Sequence, residues 1–155
     1  EDYIERVRAD DSSFTYQNLH SGRIWGFDGQ LIIESTHQIK HRIAWQWQRG
    51  DADDGEFLDD LPPPTVSYTG TWRSGAVSFA VELGYRFKRA DHGPSEIPLR
   101  SSLIGGAKIA WDLSPDWSAS LAISNGFDRT YRTSADEDAP LANERAANLT
   151  LRWTP

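Results

Sequence analysis

The chain has 155 residues, a formal net charge of −7, no cysteine and a mean hydropathy of −0.60. These values exclude a bundle of membrane-spanning helices, because no run approaches the ~20 apolar residues that such a helix needs, and the acidic balance argues against a nucleic-acid-binding protein. A soluble β-protein and a membrane β-barrel remain, since a barrel strand needs an apolar residue only at every second position.

Apolar and polar residues alternate along most of the chain, which is typical of a strand with one apolar face. The clearest stretch runs from Val77 to Phe87, where every odd position is large and apolar or aromatic and no even position is. The second predicted strand contains Gly22, Gly26 and Gly29, which predict a bulge or a bend. The alternation predicts eight antiparallel strands at roughly 2–8, 14–34, 39–49, 65–73, 77–89, 100–113, 117–132 and 145–154.

The connections between the predicted strands alternate in length. Short polar turns lie near 35–38, 73–76 and 114–116, and long polar segments lie near 9–13, 51–64, 90–99 and 133–144. Short turns at one edge and long loops at the other are the layout of outer-membrane barrels. A Greek-key sandwich has no reason to keep this parity.

Aromatic residues stand at both ends of the predicted strands. Near the short turns, four tryptophans would form one rim: Trp72, Trp111, Trp117 and Trp153. Toward the long loops, a second girdle would contain Tyr85, Phe87, Phe127 and Tyr131. Such side chains collect at a membrane interface because they are largely apolar and Trp and Tyr carry one polar group. We therefore predict that the apolar face meets lipid; the alternative is a soluble sandwich with an aromatic core.

Four stretches of the chain carry a family resemblance. They are residues 2–6, Tyr16-Gln17-Asn18 followed by 22–28, residues 58–63 with their paired prolines, and Asn125-Gly126-Phe127-Asp128-Arg129-Thr130-Tyr131. In order and spacing they resemble the C-terminal third of a TonB-dependent outer-membrane receptor. Asp28 stands where that family usually has Glu, and Gly126 stands where it has Leu.

The resemblance implies that residues 1–155 are a single unit, the C-terminal part of a plugged barrel of about twenty-two strands. It places the chain in the outer membrane of a Gram-negative bacterium, with the plug domain, the earlier strands and the TonB box N-terminal to it. The family's barrels usually end on an aromatic residue, and Trp153 precedes two further residues here. The alternative is a freestanding eight-stranded barrel, acting as a passive pore or a structural protein.

The function that the resemblance implies is energy-dependent uptake of a scarce nutrient, most commonly an iron–siderophore or another metal chelate. The implied partners are the rest of the receptor, a TonB-type energy transducer, outer-membrane lipid and lipopolysaccharide, and the small chelate ligand. Near the outer mouth, an anionic or chelated ligand is expected to contact basic side chains, which pair well with anionic oxygens; the candidates are Arg86, Lys88, Arg89 and Arg129.

Other chemistry finds little support in the sequence. The acidic clusters at 51–60, 136–138 and 10–11 are interpreted as solvated loop charge, with capture of a cationic ligand or bridging to lipopolysaccharide through divalent ions as the alternative. Neither zinc-like ligand spacing nor a Ser–His–acid triad is present. The lack of Met and Cys excludes a copper(I) site in this segment. We therefore expect no catalytic residue, no metal site, no cofactor and no enzymatic activity.

Overall fold

The computed structural model describes residues 3–8, 13–19, 21–53, 55–94, 96–136 and 138–155. These residues form the strands β1 (Tyr3–Arg8), β2 (Phe14–Leu19), β3 (Gly22–Thr36), β4 (Ile39–Ala52), β5 (Thr65–Ser74), β6 (Val77–Arg86), β7 (Ser102–Asp112), β8 (Trp117–Ser124) and β9 (Ala146–Trp153). β1 pairs with β2, and β3 to β9 form one seven-stranded sheet in which each strand lies antiparallel to its neighbours in sequence. The predicted all-β, meandering antiparallel fold is confirmed.

The described ranges contain no helix that is long and apolar enough to cross a membrane.

The prediction of one continuous strand over 14–34 was wrong, because that stretch forms both β2 and β3. β2 ends at Leu19, and β3 begins at Gly22, where it pairs with Ala52 of β4. Just before β3, the Ser21 hydroxyl donates to the Asp53 carboxylate and the Asp53 N–H donates to the Ser21 carbonyl at 3.2 Å. These bonds tie the start of β3 to the chain that follows β4.

Two other strands end at least three residues earlier than predicted. β6 ends at Arg86 instead of residue 89, and β8 ends at Ser124 instead of residue 132. β8 ends there because Asn125 and Asp128 adopt positive φ angles of 45° and 54°, which an extended strand does not allow. Asn and Asp adopt this left-handed conformation more readily than other non-glycine residues.

The strand register places the alternating residues on two distinct faces of the sheet. The apolar face carries the odd positions of β3, β4 and β6 to β9 and the even positions of β5, with pairs such as Phe27↔Trp47 and Trp72↔Phe79. The polar face carries the opposite set, with pairs such as Thr69↔Glu82. Because the side chains of register partners lie on the same face of a sheet, each face is continuous across all seven strands.

The apolar face contains a hydrogen-bonded polar pair, His41 and Tyr68. His41 occupies an apolar-face position opposite Gly70, and its Nδ1 hydrogen-bonds to the Tyr68 hydroxyl at 2.9 Å. The Tyr68 ring reaches over Gly70, where a Cβ would come within 2.6 Å of the hydroxyl oxygen. The glycine at position 70 therefore leaves room for the hydrogen bond between His41 and Tyr68. Without this bond, both polar groups would be costly to place in an apolar environment.

The two edges of the sheet differ as the connection lengths predicted. The β3–β4, β5–β6 and β7–β8 connections are short and lie at one edge, called here the short-turn edge. The β4–β5, β6–β7 and β8–β9 connections lie at the opposite, long-loop edge, and we call them the first loop (53–64), the second loop (87–101) and the third loop (125–145).

Neither face of the sheet is covered by a second layer within the described part of the chain. The buried apolar residues are Ala52, Leu58, Leu99 and Ala135, all at the long-loop edge. On the apolar face, by contrast, Leu149 is 78% exposed and Leu151 is 62% exposed. A soluble monomer rarely leaves such a large contiguous apolar surface in water. This distribution argues against the soluble sandwich, whose core would lie between two sheets.

Candidate functional site

The three long loops contact one another and form a single loop cluster. Leu58 of the first loop is fully buried and packs against Gly22 and Gly50 at the ends of β3 and β4. The Ile97 N–H of the second loop donates to the Ala135 carbonyl of the third loop at 2.8 Å. The long-loop edge therefore contains the only packed apolar core among the described residues.

Arg89, which the sequence predicts as a ligand residue, is buried and links the first loop to the second loop. Its Nη2 forms an ion pair with Glu96 Oε2 at 2.9 Å, with the two side chains only 8% and 4% exposed. Further guanidinium N–H groups donate to the carbonyls of Leu58, Leu61 and Asp91. The structure thus gives Arg89 a role inside the loop cluster, and ligand contact by Arg89 stays a prediction.

Glu96 completes this tie from the other side. Its carboxylate accepts the Asp60 N–H at 2.9 Å and the Gly93 N–H at 3.0 Å, besides the guanidinium of Arg89. Burial raises the pKa of the Glu96 carboxyl above its ordinary value, although the Gly93 N–H, the charge of Arg89 and the Asp60 N–H act in the opposite direction. The sequence does not predict Glu96 as the partner of Arg89, because the two residues lie seven positions apart in a loop without a periodic pattern.

Arg86 is the last residue of β6 and lies on the polar face, where it is 8% exposed. Its Nη1 donates to the Arg132 carbonyl at 2.6 Å, and its guanidinium carbon lies 5.3 Å from the centre of the Tyr131 ring. Tyr131 was expected in the outer aromatic girdle with Tyr85 and Phe87. The structure places the Tyr131 ring against Arg86, and Tyr85 and Phe87 contact each other with ring centroids 4.8 Å apart. The membrane-interface role of these three aromatic residues stays a prediction.

Asn125 positions the third loop next to Arg86. Its side-chain amide donates to the carbonyls of Arg129 and Asn143 at 2.9 and 3.0 Å, and its Oδ1 accepts the Arg129 N–H at 3.0 Å. Asn125 is itself buried. The first residue of the motif at 125–131 therefore fixes the backbone at Arg129, another predicted ligand residue.

A cleft of about 620 Å³ opens between the second and third loops, next to Arg86. Four of its lining residues are arginines, and we call it the arginine cleft: Arg86, Arg100, Arg129 and Arg132. The described lining residues include no Asp or Glu. The sequence predicts Arg86 and Arg129 as ligand residues but does not single out Arg100 and Arg132. The one feature that could have indicated Arg100 and Arg132 is their positive charge close to the predicted residues in the sequence.

The remaining predicted ligand residue, Lys88, lies apart from this cleft. Lys88 is exposed and, together with Arg89, lines a smaller cavity of about 270 Å³ near Trp47 and Arg49. The structure thus separates the four predicted basic residues into two pairs, Arg86 with Arg129 and Lys88 with Arg89.

The four tryptophans predicted to form a rim share one face and one edge of the sheet. Trp72, Trp111, Trp117 and Trp153 occupy apolar-face positions close to the short-turn edge. Trp117 and Trp153 are register partners, with ring centroids 6.3 Å apart. Their membrane-interface role stays a prediction, which this placement supports.

Among the described residues, no three His, Asp or Glu side chains are grouped so that they could hold a metal ion. Asp10, Asp11, Asp54 and Glu137, which belong to the acidic clusters, lie outside the described residues.

Solved structures match this arrangement over almost the whole chain. The "Copper transporter OprC" has a TM-score of 0.89 at 14% identity and covers 98% of this chain. The pyoverdine outer membrane receptor FpvA from Pseudomonas aeruginosa PAO1 has a TM-score of 0.74 at 14% identity over 99% of this chain. The siderophore receptor PiuA from Acinetobacter baumannii has a TM-score of 0.70 at 18% identity over 96% of this chain.

The chain shares the fold of the matching part of these solved structures. The resemblance to TonB-dependent receptors that the sequence motifs predicted is confirmed at the level of this fold. The matched regions cover 26%, 25% and 24% of the three solved chains, so this chain spans about a quarter of their length. No family model matches the chain, and no curated protein matches it.

Proposed function

We propose that the chain is part of the wall of an outer-membrane receptor of a Gram-negative bacterium that takes up a scarce nutrient with energy from a TonB-type transducer. The observation that carries this proposal is a sheet whose apolar and polar faces are both left uncovered by the residues that the structure describes. In a barrel wall the apolar face meets lipid and the polar face meets the interior, so both faces find a suitable environment.

The nutrient that we propose is an iron–siderophore or another metal chelate. The proteins of similar fold include a copper transporter, a pyoverdine receptor, a ferric-catecholate import receptor and a siderophore receptor. A copper(I) ion is poorly suited to this segment, because the segment has no Met or Cys to supply soft sulfur ligands. The arginines at the long-loop edge suit the oxygen atoms of an anionic chelate better.

The polar face carries charged side chains, some of them paired with one another and some of them not. Near the short-turn edge, Lys40 pairs with Glu34 at 3.3 Å, and Arg73 pairs with Asp112 at 3.3 Å. Deeper along the same face, Arg42, Glu82 and Lys108 form no ion pair with other described residues. We propose that these charges contact a plug supplied by the rest of the protein.

An uptake assay tests the proposal. The full-length protein is expressed in a strain that lacks its own chelate receptors, and accumulation of radioactive iron is followed with and without the energy transducer. The proposal predicts accumulation that disappears when the transducer is deleted. Accumulation that is independent of the transducer, or leakage of unrelated small solutes, would indicate a passive pore and contradict the proposal.

A further inference from the structure

We propose that His41 and Tyr68 form a binding site for one glycerophospholipid of the inner leaflet, and that the site donates a hydrogen bond to an ester carbonyl oxygen of this lipid. Both residues occupy apolar-face positions in the half of the sheet near the short-turn edge, one on β4 and the other on β5. The inference rests on the proposed placement of this sheet in an outer-membrane barrel, where short turns lie on the periplasmic side. It adds one specific lipid contact to that wall.

The pair of His41 and Tyr68 is an isolated polar spot on the apolar face. The His41 Nδ1 lies 2.9 Å from the Tyr68 hydroxyl oxygen, and the two rings stack with centroids 6.0 Å apart. Ile33 is the register partner of His41 on one side, and Leu83 is the register partner of Tyr68 on the other. Both of these apolar side chains are exposed. The residues that flank the pair on this face therefore offer it no side-chain hydrogen bond.

Whichever neutral tautomer His41 adopts, the pair keeps one donor hydrogen beyond its mutual bond. When Nδ1 carries the ring hydrogen, it donates to Tyr68 and leaves the Tyr68 O–H free. When Nε2 carries the ring hydrogen, the Tyr68 O–H donates to Nδ1 and the Nε2–H is left free. The structure gives neither side chain a second hydrogen-bond partner among the described residues, and the His41 Nε2 is not one of their buried unpaired atoms. The spare hydrogen therefore needs an acceptor from the surroundings of the barrel.

The depth of the pair in the wall indicates which acceptor it meets. The hydrogen bond lies over Gly70, two residues farther from the short-turn edge than Trp72. Two residues of a strand span about 7 Å, which is about 5 Å along the membrane normal for a tilted barrel strand. A rim of tryptophan lies at the level of the lipid headgroups. About 5 Å deeper, the ester groups join the glycerol of a phospholipid to its acyl chains.

The charges near the pair favour an ester oxygen over a phosphate oxygen. Lys40 and Arg73 are the basic residues of β4 and β5 closest to this edge, and both occupy polar-face positions. A phosphate group on the apolar face would therefore gain no contact with these two cations. The exposed apolar side chains of Leu31, Ile33 and Leu83 continue from the pair toward the middle of the sheet, where acyl chains would pack on them. A glycerophospholipid thus matches both the spare donor and the apolar surface beside it.

Native mass spectrometry of the full-length protein tests the site. The delipidated protein in detergent is titrated with dioleoyl phosphatidylethanolamine and with its dialkyl ether analogue, which has the same headgroup but no ester carbonyl. The critical variant is His41→Leu combined with Tyr68→Phe, which removes both polar groups and keeps apolar side chains in their place. We expect its affinity for the first ester lipid to be about threefold to tenfold below that of wild type, as loss of one hydrogen bond predicts. The ether lipid should bind wild type about as weakly as the ester lipid binds the double variant.

The single variants and a matched control sharpen the test. In His41→Leu or Tyr68→Phe, the remaining polar residue no longer uses a hydrogen in the mutual bond, so each single variant should bind the ester lipid more tightly than the double variant. The control is His37→Gln combined with Tyr85→Phe, which removes an exposed imidazole from the β3–β4 turn and an exposed phenol hydroxyl from the other end of the apolar face. It should bind the ester lipid as wild type does. Retention of the folded barrel on unheated gels checks each variant.

The outcomes separate this site from the proposed transport. Equal affinity of the ester lipid for wild type and the folded double variant overturns the site, and so does an ether lipid that binds wild type as tightly as the ester lipid. The second comparison needs only the wild-type protein, so it decides the question even if the double variant fails to assemble. Transducer-dependent uptake alongside either result leaves the proposed function standing. Lipid affinity that depends on His41 and Tyr68, without such uptake, supports the site and overturns the proposed transport.

Discussion

Replacing Glu96 with alanine should open the loop cluster without unfolding the barrel wall. The change leaves the Arg89 guanidinium buried without its carboxylate and removes the acceptor of the Asp60 and Gly93 N–H groups. Removing one partner of a buried ion pair costs about 3–5 kcal/mol. The loops can relieve this cost by opening, so a loss of about 3 kcal/mol would increase the population of open loops by about two orders of magnitude.

Hydrogen exchange followed by mass spectrometry measures this effect in the full-length protein. Peptides from the first and second loops should exchange about a hundred times faster in Glu96→Ala, and peptides from β6 and β7 should be unchanged. Asp112→Ala is the control, because it removes an exposed ion pair with Arg73 at the opposite edge, where such pairs are worth less than about 1 kcal/mol. Loop exchange within threefold of wild type in Glu96→Ala would refute the role assigned to the buried pair.

Three further outcomes follow from the structure. Because burial raises the pKa of Glu96, the closed loops hold its proton more tightly than the open loops do. The protection of the loops from hydrogen exchange should therefore fall as the pH rises from the ordinary glutamate pKa through the raised pKa. Glu96→Gln should abolish this pH dependence, and protection that is lost on acidification would contradict it. Leu58→Ala should accelerate loop exchange by removing the fully buried side chain at a cost of about 2–5 kcal/mol, whereas a cluster that keeps its protection would contradict the packing. Gly26→Ala should impair barrel assembly, because the added Cβ would meet the Trp47 carbonyl oxygen. Gly84→Ala should assemble normally, because that position faces open space. Equal heat stability of the two variants on gels would show that the close approach at Gly26 does not limit assembly.

The faces and edges of the sheet were predictable because they depend on local periodicity. A strand repeats every two residues, so the alternation from Val77 to Phe87 fixed which side chains share a face before any pairing was known. The short connections then required antiparallel neighbours, which brought the long loops to one edge. The observed pairs, such as Tyr68↔Leu83 and Lys108↔Ala122, follow this parity.

The loop cluster could not be predicted, because loops have no period and their contacts join residues distant in sequence. Nothing in the sequence distinguished Leu58, which is fully buried, from the exposed leucines of the sheet. For the same reason the sequence predicts ligand contact for Arg89 but not its ion pair with Glu96. It also does not single out Arg100, which lines the same cleft as Arg129. β8 ends early because of the backbone angles of Asn125, and the alternation of apolar and polar residues does not predict these angles.

The most direct test of the account is a cysteine scan along β6 in the full-length protein in an outer-membrane bilayer, since this chain contains no cysteine of its own. Each residue from Val77 to Arg86 is replaced in turn, spin-labelled, and exposed to oxygen, which concentrates in lipid, and to a water-soluble nickel complex. Spin labels at odd positions should collide with oxygen, and labels at even positions should be shielded from it. Equal oxygen accessibility at odd and even positions, or the opposite parity, would contradict the claim that this sheet is the wall of a membrane barrel.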